Sequence, residues 1–297
     1  MPTIAEAIAE GSSRLEGSAV GEPRRTAGVL LCHLLGIERT HLLTRSEQPV
    51  KPADYDKFLR LIERRSAGEP TQYITGHQEF YGLDFIVSPD VLIPRPETEF
   101  LVERVIELAG VIEEERPLIV DVGTGSGCIA VAVAVRVPRA RLIATDVSEA
   151  ALEVARRNAE RNGVRDRIEF LAGELLTPLA GKAGAVDILA SNPPYVNEGR
   201  PELIQREVRD WEPRIALFGG GDGLEFYRRL LAEGSELVKP GGFLVVEIGY
   251  SQFEAIEAMI AGSSWELVDV TRDLQGIPRT ITVRRPSENG PGARLRR

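Results

Sequence analysis

From Pro117 to Val283 the chain alternates short apolar runs with longer amphipathic segments, and this alternation constrains the fold more than any other feature. Leu118–Val120, Arg141–Thr145, Ile168–Ala172, Ala185–Ala190, Phe243–Ile248 and Trp265–Val270 read as strands. Between them, Gly125–Val137, Glu149–Asn162, Leu224–Leu237 and Phe253–Ile260 have helical spacing, and Thr280–Val283 alternates as a last strand. Strands that take turns with helices build a parallel sheet covered by helices on both faces, so an α/β domain is expected. Open sheets of this kind hold ligands beyond the carboxyl ends of their strands. The residues that directly follow the apolar runs are therefore the functional candidates.

Two of those positions carry chemistry. Asp121-Val122-Gly123-Thr124-Gly125-Ser126-Gly127 follows the first strand and opens a helix. Glycines there permit a tight turn and close approach of a ligand to the backbone. Asp146 ends the next strand, about 20 residues on, where a carboxylate suits ribose hydroxyls. The spacing is Gly-x-Gly-x-Gly and not the dinucleotide pattern Gly-x-Gly-x-x-Gly, and no Gly-Lys-Ser/Thr follows. An acid at the mouth of the loop, Asp121, repels a pyrophosphate and attracts a cation. A nucleoside with a cationic tail, S-adenosylmethionine, fits better than NAD. The second position is Asn192-Pro193-Pro194-Tyr195, after the run Ala185–Ala190. The two prolines stiffen the backbone. The Asn192 side-chain carbonyl and the Pro193 main-chain carbonyl offer two fixed acceptors for a substrate –NH2 group, and Tyr195 adds a ring to restrict it.

The flanks read differently. Thr3-Ile4-Ala5-Glu6 is a capping box, Pro23 and Pro52 open further helices, and Gly36 and Gly68 stop them. Residues 1–70 thus form a helical N-terminal domain whose apolar stripes are most simply its own core, with substrate docking as a second reading. Residues 71–90, from Gln72-Tyr73-Ile74-Thr75-Gly76 to Leu83–Val87, have strand character and are expected to form a β-hairpin linker. Residues 91–286 make the catalytic domain, and the polar stretch 287–297 is expected to be a disordered tail. Val91–Thr98 is a rigid extended segment in which Arg95 and Glu97 read equally as shaping the substrate pocket or as a salt-bridged structural turn. The segment Val196–Gly219 reads equally as a mobile lid or an ordered loop. Two cysteines and three histidines form no metal-ligand pattern. No apolar run reaches the roughly 20 residues that span a bilayer, and no signal peptide is evident. The net charge of −9 argues against a protein that holds long nucleic acid by its phosphates.

Taken together, these residues resemble a class I S-adenosylmethionine-dependent methyltransferase of the Asn-Pro-Pro-Tyr group. More narrowly, Gln72-Tyr73-Ile74-x-Gly76, Glu79–Leu83, Ile93-Pro94-Arg95-Pro96-Glu97-Thr98-Glu99, Gly220–Leu224 and Asp273-Leu274-x-Gly276-Ile277-Pro278-Arg279 are similar to the HemK/PrmC family. That family consists of protein-(glutamine-N5) methyltransferases acting on peptide chain release factors. The resemblance implies a Rossmann-like catalytic domain with a seven-stranded sheet, a hairpin linker and a helical N-terminal domain. It places the cofactor over Gly123, Thr124, Gly125, Ser126 and Gly127, with Asp146 on its ribose and Glu174-Leu175 on the adenine side. The implied substrate is the glutamine of a Gly-Gly-Gln motif, bound by Asn192, Pro193, Pro194 and Tyr195. A cytoplasmic monomer that binds no membrane is expected. The competing readings are a DNA or RNA amino-group methyltransferase and a non-catalytic adaptor that senses S-adenosylmethionine.

Overall fold

The computed structural model describes residues 1–18, 20–200, 202 and 204–287. These divide into two compact units. The first comprises Met1–His77, Val87–Pro89 and Ile204–Glu212, and the other described residues form the second. The expected tail, 287–297, lies outside the described residues except for Ser287.

The first unit is helical. Helices α1 (Ile4–Glu16), α2 (Pro23–Leu35), α3 (Arg39–Thr44) and α4 (Pro52–Ser66) surround a core of Ile4, Leu15, Leu30, Leu31, Phe58 and Ile62. The capping box is present: the Glu6 amide donates to Thr3 Oγ1 at 3.2 Å, and the Thr3 amide donates to Glu6 Oε2 at 2.8 Å. Gly36 ends α2 in the left-handed conformation, φ 64°. One expectation is corrected. Gln72–Thr75 is not a strand but part of a short helix, α5 (Thr71–Thr75). Its β-branched and aromatic residues suggest a strand, but Pro70 starts a helical turn and Gly76, at φ 75°, stops it. Tyr73 and Ile74 are buried by that turn.

The second unit begins at Gln78, within the hairpin β1 (His77–Phe80) and β2 (Leu83–Ile86), which is shorter than expected and starts later. Helix α6 (Thr98–Val111) follows. The alternating region then runs β3 (Leu118–Val122), α7 (Cys128–Arg136), β4 (Arg141–Asp146), α8 (Glu149–Arg161), β5 (Ile168–Ala172) and β6 (Val186–Ser191). After β6 come two short helices, α9 (Arg206–Trp211) and α10 (Arg214–Leu217). Helix α9 falls within the first unit, where Arg65 Nη2 donates to Glu207 Oε2 at 2.6 Å. The chain closes with α11 (Glu225–Leu237), β7 (Val238–Glu247), α12 (Phe253–Ala261), β8 (Glu266–Arg272) and β9 (Pro278–Arg284).

The seven strands lie in the order β5-β4-β3-β6-β7-β9-β8. The sheet is mixed and not wholly parallel: β9 runs antiparallel to both β7 and β8. A tight turn at Asp273–Ile277 returns the chain directly from β8 to β9, and such a short connection forces antiparallel pairing. One face of the sheet is covered by α6 and α7 and the other by α11 and α12, with Leu101, Val105 and Ile129 packed on the first and Leu230, Ile256 and Ile260 on the second. The order reverses between β3 and β6, both of which start from the sheet's centre, and this switch point opens the crevice in which such folds bind ligands.

Asn158, on α8, ties this scaffold together. It is fully buried; Oδ1 accepts from the Ile86 amide at 2.7 Å, and Nδ2 donates to the Ile86 carbonyl at 2.9 Å and the Ser126 carbonyl at 2.8 Å. Asn158→Ala should therefore strand one buried main-chain group, the Ser126 carbonyl, and two half-buried ones at Ile86, and destabilise the protein by about 2 kcal/mol, read as a lower urea midpoint at an unchanged m-value.

Candidate active site

The register of the parallel strands sets the site. Val122 lies opposite Thr145 and Ser191, and Ser191 lies opposite Val246. Strands β3, β4, β6 and β7 therefore end along one line. The Ser191 hydroxyl donates to the Val122 carbonyl at 2.8 Å and fastens the ends of β3 and β6. Beyond that line is a cavity of about 300 Å³. Its walls include Gly123, Gly125, Asp146, Glu174, Leu175, Asn192, Pro193 and Pro194. These are eight of the residues singled out in the sequence, brought together from the ends of four strands.

The glycine-rich turn is held from beneath. Asp121 has no exposed surface and lies behind the turn, not at its mouth. Its Oδ2 accepts from Thr124 Oγ1 at 2.6 Å and from the Ala130 amide at 3.2 Å. Thr124 and Ser126 are buried as well and, like Gly127, do not line the cavity. Burial pushes the Asp121 carboxyl up to about 7, against the two hydrogen bonds that lower it. The glycines have different reasons to be glycine. At Gly123 (φ 72°) and Gly125 (φ 54°) no atom lies within 4 Å of a would-be Cβ, so a side chain at either would enter the cavity. At Gly127 a Cβ would meet Ala155 Cβ at 3.0 Å, so that glycine lets α7 pack on α8.

Asp146 holds the turn from the other side. Its Oδ2 accepts from the Gly125 amide at 2.8 Å and its Oδ1 from the Ser148 amide at 2.9 Å. Burial raises its pKa and these amides lower it, burial prevailing. Each carboxylate oxygen keeps a further acceptor direction for a ligand. Glu174 lines the cavity, but its carboxylate forms an ion pair with Arg229 on α11. Leu175 takes a left-handed conformation, φ 48°, and its carbonyl accepts from Thr145 Oγ1 at 3.3 Å.

Asn192 is engaged through its nitrogen. Nδ2 donates to Thr98 Oγ1 at 3.1 Å, and Thr98 Oγ1 donates to Glu247 Oε2 at 2.6 Å. Glu247 is buried at the end of β7 and its carboxyl is pushed up to about 7 by burial, with Thr98 opposing. Tyr195 lies outside the cavity wall, and burial raises its phenol to about 12. Its carbonyl accepts from Gln252 Nε2 at 3.0 Å. Arg95 and Glu97 also lie outside the wall. Glu97 Oε1 stands 3.8 Å from Arg279 Nη2, and Arg279 Nε donates to Asp273 Oδ2 at 2.8 Å. Asp273 is itself held by the amides of Gln275 and Ile277, at 2.9 and 3.0 Å. The segment after Tyr195 is pinned at both ends: the Val196 amide donates to the Leu217 carbonyl and the Gly219 amide to the Val196 carbonyl, each at 2.9 Å.

The chain matches two family models, the PrmC N-terminal domain over residues 6–76 and the methyltransferase small domain over residues 97–211. It is 42% identical over 285 residues to a release factor glutamine methyltransferase of Koribacter versatilis, covering 96% of this chain and 99% of that one. A Bacillus subtilis protein of the same description is 40% identical over 284 residues, with 95% and 97% covered. The chain belongs to the release factor glutamine methyltransferase family. Solved structures support the fold of the methyltransferase unit. A methyltransferase from Pyrococcus furiosus superposes with a TM-score of 0.52 at 18% identity, covering 78% of this chain and 98% of that one. The catalytic domain of human Mettl16 gives 0.54 at 16% identity, with 78% and 81% covered.

Several residues of the cavity wall carried no site assignment in the sequence: Asp90–Leu92, Pro213, Ile215, Ala216 and Phe226. Val91 and Leu92 belong to a segment legible only as extended, and Pro213 and Ala216 match the family pattern without declaring a role. Thr98 was legible only as a helix start. Glu247 did carry a signal: it is one acid inside the apolar run Phe243–Ile248. Among the described residues, no group of three or more His, Cys, Asp or Glu could hold a metal ion, and no helix is long and apolar enough to cross a membrane.

The raised carboxyls have a consequence for stability. Asp121 and Glu247 titrate near 7 in the folded chain, above their ordinary range of about 4. The folded protein thus binds protons that the unfolded chain has already released. Their stabilising contribution is complete below about pH 4 and is lost as pH rises through 7. Melting scans from about pH 5 to 8 should show Asp121→Asn losing less stability with rising pH than the parent protein.

Proposed function

We propose that the chain transfers the methyl group of S-adenosylmethionine to the side-chain amide nitrogen of the glutamine in the Gly-Gly-Gln motif of a peptide chain release factor. The observation that carries this reading is Asn192, a cavity residue whose amide nitrogen is committed to Thr98. Its oxygen is the atom left to meet a substrate –NH2. The description shared by the relatives supplies the substrate class.

The donor set suits the cofactor. Gly123 and Gly125 offer a cradle that any side chain would fill, Asp146 has acceptor capacity for ribose hydroxyls, and Leu175 gives an apolar wall for adenine. Asp121 Oδ1 is buried without a hydrogen-bond partner among the described residues. S-adenosylmethionine would supply an electrophilic methyl on a sulfonium. The protein's part is positioning. A glutamine amide is a weak nucleophile because its lone pair is delocalised into the carbonyl. Asn192 Oδ1 and the Pro193 carbonyl would accept the two amide hydrogens, aim the nitrogen and favour positive charge on it. No strong base is needed beforehand, since the alkylated nitrogen is acidic and loses its proton afterwards. Tyr195, just outside the wall, would restrict the amide through the backbone it anchors. Arg95 and Glu97 would act on the pocket by fixing the turn that presents Thr98. The helical unit, matched to the PrmC N-terminal domain, would dock the release factor. A cytoplasmic monomer that does not bind nucleic acid completes the proposal.

The test is methyl transfer from radiolabelled S-adenosylmethionine to a purified release factor. Label should appear on the factor and vanish when the Gly-Gly-Gln glutamine is changed to alanine; label on bulk DNA or RNA alone would overturn the reading. Asn192→Ala should cost about 2.7–4 kcal/mol in transition-state stabilisation with little loss of cofactor affinity. Asp146→Ala should instead raise the cofactor Kd, measured by calorimetry.

A further inference from the structure

The acceptor role of Asn192 requires that its side-chain amide face one way. An amide turned by 180° presents Nδ2 to a substrate –NH2, donor against donor. Nothing in asparagine itself prevents this, because the two ends of the amide are nearly the same size. The preference must come from what the amide meets on its other side.

That side is Thr98. Its hydroxyl has one hydrogen and two acceptor directions. The hydrogen goes to Glu247 Oε2 at 2.6 Å, in the short range of a hydroxyl bound to a carboxylate. An ionised carboxylate accepts only, so Thr98 has no hydrogen left for Asn192. Oγ1 can then only accept, and it does so from Asn192 Nδ2 at 3.1 Å. Thr98 and Glu247 are each only 2% exposed, so water does not compete for either bond. Three elements far apart in sequence supply the chain of bonds: Asn192 follows β6, Thr98 opens α6 and Glu247 ends β7. The Glu247 main chain is held in turn, its carbonyl accepting from Tyr227 Oη at 3.0 Å.

We propose that Thr98 and Glu247 are positioning residues, a one-way hydrogen-bond relay that sets the Asn192 amide with its oxygen toward the substrate nitrogen. The relay rests on the role given above to Asn192. Neither residue touches the reacting atoms; the carboxylate fixes the direction of the hydroxyl, and the hydroxyl fixes the direction of the amide.

The experiment compares Thr98→Val, which keeps the shape and removes the hydroxyl, with Thr98→Ser, which keeps the hydroxyl. Assays are run with a release factor on the alkaline side of the Glu247 titration, where that group is ionised. Thr98→Val should lower kcat by about a hundredfold, the scale of losing one oriented hydrogen-bonding group at a transition state. Its KM for the factor and its cofactor Kd should stay close to those of the parent. Thr98→Ser should restore kcat to within a few-fold. A Thr98→Val enzyme with kcat near the parent value, or a Thr98→Ser enzyme equally impaired, overturns the relay. Asn192→Ala, run beside them, separates the two layers. If it keeps turnover, the role of Asn192 fails; if it is inactive while Thr98→Val is active, only the relay fails. A readout free of turnover is the Asn192 side-chain amide in 15N-labelled protein. Its protons should show a nuclear Overhauser contact to the Thr98 side chain in the parent and in Thr98→Ser. Absence of that contact in the parent overturns the relay whatever the substrate proves to be.

Discussion

The constraint on which the methyltransferase unit depends is the shared register of β3, β4, β6 and β7. Because Val122, Thr145, Ser191 and Val246 stand side by side, the next residue or two of each strand reach the same edge. Gly123, Asp146, Asn192 and Glu247 are neighbours for that reason alone. Both faces of these strands are buried in apolar packing, so burial by itself would tolerate a slip. The polar ends do not. A slip of one residue would part the Ser191 hydroxyl from the Val122 carbonyl and the Asp146 carboxylate from the Gly125 amide. Each loss leaves a buried or half-buried group unsatisfied, at about 1–3 kcal/mol apiece.

The acids along this edge divide by task. Asp121 serves the chain itself: it draws the Thr124 hydroxyl and the Ala130 amide inward and so shapes a turn it does not line. Asp146 serves both the chain and the cavity, since its two oxygens take amides from opposite sides and still face open space. Glu174 stands on the wall, but Arg229 neutralises it. Glu247 is withdrawn from the wall: its carboxylate accepts from Thr98, and its charge also raises the Tyr195 phenol. Of these four, only Asp146 and Glu174 line the cavity.

The fold was largely legible in the sequence because its strands are short apolar runs between helices with clear starts and stops. The glycine turn, Asp146 and Asn192–Tyr195 were legible because they directly follow such runs. What escaped did so for physical reasons. Gln72–Thr75 has the composition of a strand, yet one turn between Pro70 and Gly76 is too short for periodicity to declare itself. The antiparallel return of β9 depends on a turn, Asp273–Ile277, whose role emerges only when Asp273 is seen gathering its amides and Arg279. Asp121 lies behind the loop and not at its mouth, because sequence adjacency does not reveal which side of a turn a side chain takes. Thr98 and Glu247 are 149 residues apart, and their pairing is tertiary in origin.

Asn158 has a further consequence. One side chain clasps both the hairpin, at Ile86, and the glycine turn, at Ser126. Releasing Asn158 frees the Ile86 amide and removes a donor from the Ser126 carbonyl at the same time. Where local opening follows that shared side chain, a ligand that stabilises the turn slows hydrogen exchange at Ile86 without moving it. The hairpin is in this sense an outward-facing gauge of how firmly the turn is held.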